Sequence, residues 1–199
     1  MGNSDSRSLN FWTLDEYKQF IQTMEPGTRY YLMFEMLFWT GCRIGELLAI
    51  TKADINFEKN QLSINKTYYR TGMQDIITEP KTKQSFRTIE IPEFLKEEIK
   101  EFVDGHYGMP DTERLFPVVQ EAVQHKMKRQ IELAGVKKIR VHDIRHSHVA
   151  YLIEKGVEPL LIRDRLGHKD IRITLNTYGH LYPNQQRKIA NLLDNENGN

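Results

Sequence analysis

The sequence predicts an α+β protein, mainly helical, with one small three-stranded antiparallel sheet in the middle of the chain. Apolar residues recur at helical spacing up to Ile50 and again from Pro92 onward. Between Asp54 and Ile91 the pattern changes to short β-branched and aromatic runs separated by polar turns. The 199 residues are 39% hydrophobic and include one cysteine, Cys42; this allows a core of one large or two small domains and excludes an intramolecular disulfide framework. No signal-like or membrane-length apolar run occurs. A reducing, cytoplasmic setting without a membrane partner is expected.

The first eight residues, MGNSDSRS, lack apolar periodicity and read as a flexible tail or an expression remnant, with the ordered domain running over 9–183. Thr13-x-x-Glu16 is a capping box, and Tyr17, Phe20, Ile21 and Met24 form the stripe of an amphipathic helix ending before Pro26-Gly27. Arg29 to Thr40 is apolar nearly all round, which predicts a central, buried helix ended by Gly41. Arg43 follows directly on that core. Its guanidinium needs a partner, and Glu46, one turn later, can orient it while leaving other donors free.

In the middle, Ile55–Phe57, Leu62–Ile64, Tyr68–Tyr69, Ile76–Ile77 and Thr88–Ile91 read as strands of one antiparallel sheet. Lys81 and Lys83 lie in the turn-like PKTKQS before the last of them, a place from which a long side chain reaches outward. Pro92 to Val103 and Val118 to Leu133 read as amphipathic helices, the second ended by Gly135. No internal repeat and no glycine-rich nucleotide loop occurs, so no nucleotide cofactor is expected.

Net charge is only +1, but its distribution is uneven. Glu90 to Asp104 is mainly acidic, whereas Lys126, Lys128, Arg129, Lys137, Lys138, Arg140 and Arg145 crowd one stretch against Glu132 and Asp143. That stretch is a candidate surface for nucleic acid.

The chain is organised around His142 to Tyr178. His142 and Arg145, three apart at a helix start, leave one face and can converge on a small anion such as phosphate. The helix carries Val149, Leu152 and Ile153 inward and stops at Gly156; Pro159 opens the next, with Ile162 and Leu166 on its stripe and His168 in the turn after Gly167. A third helix from Asp170 places Ile171, Leu175 and Tyr178 on one stripe before Gly179, a hinge-like position. His142 and His146 also have the i, i+4 spacing of a zinc helix, with Asp143 where its glutamate would stand. Arg145 would put a fixed positive charge beside the metal, and no third ligand follows at the familiar spacing.

His-x-x-Arg-His, then Leu-Gly-His, then Tyr ten residues on resembles the second half of the tyrosine recombinase (phage integrase) family signature. TGCRIGELLAI supplies the expected first half at Arg43, and the resemblance runs from about Thr13 to Leu193. It implies a tyrosine-recombinase catalytic-domain-like helical bundle, double-stranded DNA as substrate and no cofactor. It also implies a catalytic set of Arg43, Lys81, His142, Arg145, His168 and Tyr178, in which Lys81 matches the family's hairpin lysine best and Lys83 stays as the alternative. Glu46, Asp143 and His146 would support that set.

By the same resemblance, Tyr178 attacks the scissile phosphate, forming a 3′-phosphotyrosine and releasing a 5′-hydroxyl that later attacks a partner duplex. With an unperturbed pKa near 10, only about one tyrosine in a thousand is ionised at neutral pH. The guanidiniums are expected to favour the phenolate, His142 to accept the proton and Lys81 to protonate the leaving oxygen. A homotetramer on two duplexes is implied, monomeric without DNA. The 184–199 tail, with Ile189, Leu192 and Leu193 on a stripe after Pro183, would dock on a neighbouring protomer. The family's full-length enzymes carry a further N-terminal DNA-binding domain, which is not expected within these residues. Alternatives are a type IB topoisomerase, which relaxes DNA without exchanging partners, a non-catalytic DNA-binding regulator, and a zinc hydrolase.

Overall fold

The computed structural model describes residues 10–80, 85–106, 108, 110–182, 190–191 and 193–195. Helix α1 (Leu14–Ile21) starts at the capping box: Thr13 Oγ1 accepts from the Glu16 N–H and the Glu16 carboxylate accepts from the Thr13 N–H. Its stripe of Tyr17, Phe20 and Ile21 packs inward, and Met24 beyond its end is buried with them. Helix α2 (Arg29–Thr40) is buried on nearly every face, packing against α1, the short α3 (Ile44–Leu47), α4 (Glu93–Asp104) and α6 (Asp143–Glu154). Tyr17 stacks on Phe38 with ring centroids 3.7 Å apart, tying α1 to α2.

The expected three-stranded antiparallel sheet is present, but two of the five runs do not belong to it. Strands β1 (Ile55–Asn56), β2 (Gln61–Ile64) and β5 (Arg87–Glu90) form a three-stranded antiparallel sheet in the order β1-β2-β5. The intervening β3 (Thr67–Thr71) and β4 (Gln74–Thr78) form a separate two-stranded ribbon. The ribbon leans on α3 instead of extending the sheet. At Gly45 a Cβ would lie 2.7 Å from Thr67 Oγ1 and 2.8 Å from the Tyr68 carbonyl, so only glycine admits this approach. Tyr68 fixes the ribbon further, its ring under the Arg114 guanidinium at 4.1 Å and its hydroxyl donating to Asp75.

Helix α5 (Gln120–Ala134) packs on α1. Beyond it, α6, α7 (Pro159–Leu166) and α8 (Ile171–Tyr178) enclose a second small core of Val149, Ile153, Ile162, Leu166 and Tyr178. One expectation is corrected here. Thr174 and Tyr178, not Leu175, face inward on α8, and Leu175 is exposed. Tyr178 ends α8 as expected, and Gly179, with a right-handed φ of −56°, leads into a 3₁₀ turn (Gly179–Leu181). The expected tail stripe lies largely outside the described residues: Pro183, Ile189 and Leu192 are not among them, and Leu193 is exposed on a helical segment.

Candidate active site

Arg145 sits at the meeting point of four elements. It is 4% exposed, and its two terminal nitrogens donate to the carbonyls of Gly41 (2.6 Å) and Leu166 (2.7 Å), joining the α2–α3 corner to the end of α7. Gly41 can present that carbonyl because it adopts a left-handed φ of 66°, and a Cβ there would meet His148 Cδ2 at 2.4 Å. Burial, and then the neighbouring Arg43 charge, push the Arg145 pKa down to about 9, which leaves it charged at neutral pH.

Arg43 is the N-cap of α3 and remains 40% exposed, with Nη1 donating to Glu46 Oε1 at 2.8 Å. Glu46 is shared, as the sequence did not reveal. Arg87 on β5 donates to both Glu46 oxygens, at 3.1 and 2.8 Å, and through Nε to the Arg165 carbonyl at 2.8 Å. Burial pushes the Glu46 carboxyl up, but the Arg87 hydrogen bonds and charge outweigh it and bring the pKa down to about 2. Arg165 in turn donates to His148, Glu90 and Trp39. Two guanidiniums, those of Arg43 and Arg87, therefore share one carboxylate, with the Arg145 charge close by, leaving a locally positive centre suited to a phosphate. No spacing in the sequence marks Arg87 or Arg165, whose partners lie 41 and 126 residues away.

Tyr178 is 2% exposed, its hydroxyl 2.6 Å from His146 Nδ1. Burial raises its pKa to about 12 even though Arg145 and Arg43 pull the other way. The guanidiniums thus act toward the phenolate, in the expected sense, but burial is the larger effect. His142 is the exposed N-cap of α6, its ring edge-on to His146 with centroids 5.4 Å apart. His168 is half-buried, with Nδ1 3.0 Å from Thr174 Oγ1, and burial followed by Arg145 lowers its pKa to about 4. Asp143 holds the turn before α6 by accepting from the Arg140 backbone N–H and guanidinium. Among the described residues no group of three His, Cys, Asp or Glu side chains could hold a metal ion.

Lys81 and Lys83 lie outside the described residues. Of the basic stretch, Lys128, Lys138 and Arg140 line a pocket together with His142, with Met127, Ile131 and Ile139 in its wall. Arg129 is exposed outside that lining, Lys137 is held over Phe11, and Lys126 is half-buried with its ammonium over the Tyr30 ring.

The model of the phage integrase family matches residues 10–185. The chain belongs to the phage integrase family. Among its relatives, the ICEBs1 integrase of Bacillus subtilis (strain 168) is 32% identical over 94% of this chain and 55% of its own length. The tyrosine recombinase XerC-like protein of Caldanaerobacter subterraneus subsp. tengcongensis is 30% identical over 90% of this chain and 53% of its own. The chain thus spans about half the length of these relatives. Among solved structures, the Tn1549 transposon integrase in complex with a circular intermediate DNA superposes with a TM-score of 0.79 at 20% identity, covering 98% of this chain and 68% of that one. The catalytic domain of bacteriophage HP1 integrase gives 0.63 at 18% identity, covering 92% and 93%. The family's catalytic-domain fold is therefore the fold of this chain.

Proposed function

We propose that this domain breaks and rejoins double-stranded DNA in site-specific recombination. The observation that carries the reading is the Tyr178 hydroxyl, lodged beside His146 and close enough to Arg43 and Arg145 for both charges to act on it. The tyrosine oxygen bonds to phosphorus, the P–O5′ bond breaks, and the leaving oxygen takes a proton from Lys81, or from Lys83 in its place. The 5′-hydroxyl of a second duplex then reverses the step. Arg43 and Arg145 bind the non-bridging oxygens, where charge gathers in the transition state, and His142 and His168 add hydrogen bonds.

Lys128, Lys138 and Arg140 follow the DNA backbone away from the site, with Lys126, Arg129, Lys137 and Lys83 as further contacts. Glu46 and Asp143 hold their arginines in place. The working assembly is a homotetramer on two duplexes, formed from monomers by the 184–199 tail docking on a neighbour, in a cytoplasmic setting. Relatives named as integrases and transposases of mobile elements, and solved relatives bound to DNA, support this reading.

The test is capture of a covalent adduct on nicked duplexes drawn from a randomised pool. The intact chain and Tyr182→Phe should form the adduct, and Tyr178→Phe should bind DNA without forming it. Peptide mapping that placed the DNA on Tyr182 would reject the assignment.

A further inference from the structure

The proton of the proposed nucleophile has to go somewhere, and among the described residues the hydroxyl of Tyr178 has one hydrogen-bonding nitrogen, on His146. We propose that His146 is the base that takes this proton, with Nδ1 as the accepting atom, 2.6 Å from the tyrosine oxygen. The inference rests on the recombinase reading above and names a residue for a step that the sequence assigned to His142.

Position on the fold supports it. His146 is the fourth residue of α6, directly after Arg145, so the backbone that carries the guanidinium proposed to hold the phosphate also carries the imidazole. Tyr178 reaches it from the last turn of α8, ring centroids 5.5 Å apart. His142 has no hydrogen bond to Tyr178 among the described residues, and its exposed ring meets the edge of His146 instead.

The charge environment has the required sense. His142, Asp143 and Arg145 face His146 from its own helix, Arg140 from the preceding turn, and His168 and Tyr178 from the α7–α8 side. Burial first, then His142 and Arg145, lower its pKa, while Asp143 opposes them. The ring is therefore neutral at neutral pH and offers a lone pair on whichever nitrogen lacks hydrogen. A scissile phosphate adds negative charge beside the ring and favours the imidazolium at the moment of attack.

The balance of the step is simple. The O–H bond of Tyr178 breaks, its hydrogen passes to His146 Nδ1, and the oxygen's electron pair forms the bond to phosphorus while the P–O5′ pair leaves with O5′. On rejoining, the Nδ1 hydrogen returns to the tyrosine oxygen.

Two measurements test this. Nitrogen NMR of the DNA-free chain labelled at histidine should show His146 Nδ1 without hydrogen and Nε2 carrying it, with the Nδ1 signal displaced in Tyr178→Phe. A hydrogen on Nδ1 would make the ring a donor that merely positions the tyrosine, and would overturn the proposal. On nicked duplexes, His146→Asn keeps an acceptor near the Nδ1 position but cannot carry the proton away, and His146→Ala removes both functions. Both should lose roughly 10²–10⁴-fold in adduct formation, the usual range for a general base. With 3,5-difluorotyrosine at position 178, a readily ionised phenol, the deficit of His146→Asn relative to the histidine protein should shrink at least about tenfold. Full activity in His146→Asn, or a deficit unchanged by fluorination, rejects the proposal and leaves the recombinase reading standing. If the unaltered chain forms no adduct with any duplex, both fail together.

Discussion

The Arg87 guanidinium donates to both oxygens of the Glu46 carboxylate with both side chains closed to solvent, at 6% and 5% exposure. Arg43, the partner expected from the sequence, takes one oxygen of the same carboxylate and stays half open. Removing one member of such a buried pair leaves the other charge without its main partner. Arg87→Ala should therefore lower unfolding free energy by about 3–5 kcal/mol, measured by urea denaturation. A loss under about 1 kcal/mol would mean that the pair is as weak as an exposed one.

Arg43 and Arg145 should separate chemistry from stability. Losing either guanidinium should slow cleavage by about 10²–10³-fold, the usual cost of one oxyanion contact. Arg145→Ala also strands the carbonyls of Gly41 and Leu166, at about 1–3 kcal/mol for each unsatisfied group. Arg43→Ala keeps its backbone N–H to Glu46 and should cost about 1 kcal/mol or less. Paired denaturation and single-turnover assays would compare them, and equal stability losses would contradict this division of labour.

Gly41→Ala should be damaging despite adding a single methyl. The left-handed φ costs about 1 kcal/mol for a non-glycine residue, and the Cβ would press on the buried His148 ring at 2.4 Å, with the Leu166 side chain at 3.1 Å beside it. A larger total loss than 1 kcal/mol is expected, together with slower cleavage, because the displaced Gly41 carbonyl holds Arg145. Unchanged melting temperature in calorimetry would count against this account.

Acid should destabilise the DNA-free fold in stages. His168 and His148 have folded-state pKa values of about 4 and about 3, burial being the main cause of each. Each lies below the ordinary histidine value near 6.5, so the unfolded chain binds more protons, and stability falls from about pH 6.5 toward those values. Glu46 has a lowered carboxyl, so its contribution is present above about pH 4.5 and is lost as pH falls to about 2. Denaturation at a series of pH values should give a steady decline below pH 6.5, shallower between pH 6.5 and 4 in His168→Gln.

Binding of DNA by this domain alone should be weak and steeply salt-dependent, because it relies on phosphate contacts. Lys128→Ala or Lys138→Ala should each reduce the slope of log affinity against log salt by about 1. Lys126→Ala should change it little, since that ammonium is turned toward Tyr30. Equal effects of all three would show that the pocket lined by Lys128, Lys138 and His142 is not the path of the backbone.

What could be read from the sequence was local. Thr13 with Glu16, the all-round apolar α2 and the helix stops at Gly41 and Gly167 each depend on neighbours a few residues away, and each stands where expected. His142, Arg145, His168 and Tyr178 were visible because their order and spacing form a pattern. Arg87 and Arg165 were not, since ordinary arginines acquire their meaning from carbonyls and a carboxylate brought from distant elements. The α8 stripe misled because apolar counting ignores that a helix lining a polar centre can turn a threonine inward, as Thr174 does toward His168. His146 was noted for a zinc-like spacing, whereas its nearest partner is a phenol 32 residues later.

Arg145 clasps two carbonyls, one 104 residues before it and one 21 after. A nascent chain that lacks either end has nowhere to hold this guanidinium, and the tyrosine is made after both. On the proposed reading, the cationic pocket is thus complete before its attacking residue exists. A copy cut short ahead of Tyr178 would hold the pocket without the group proposed to attack.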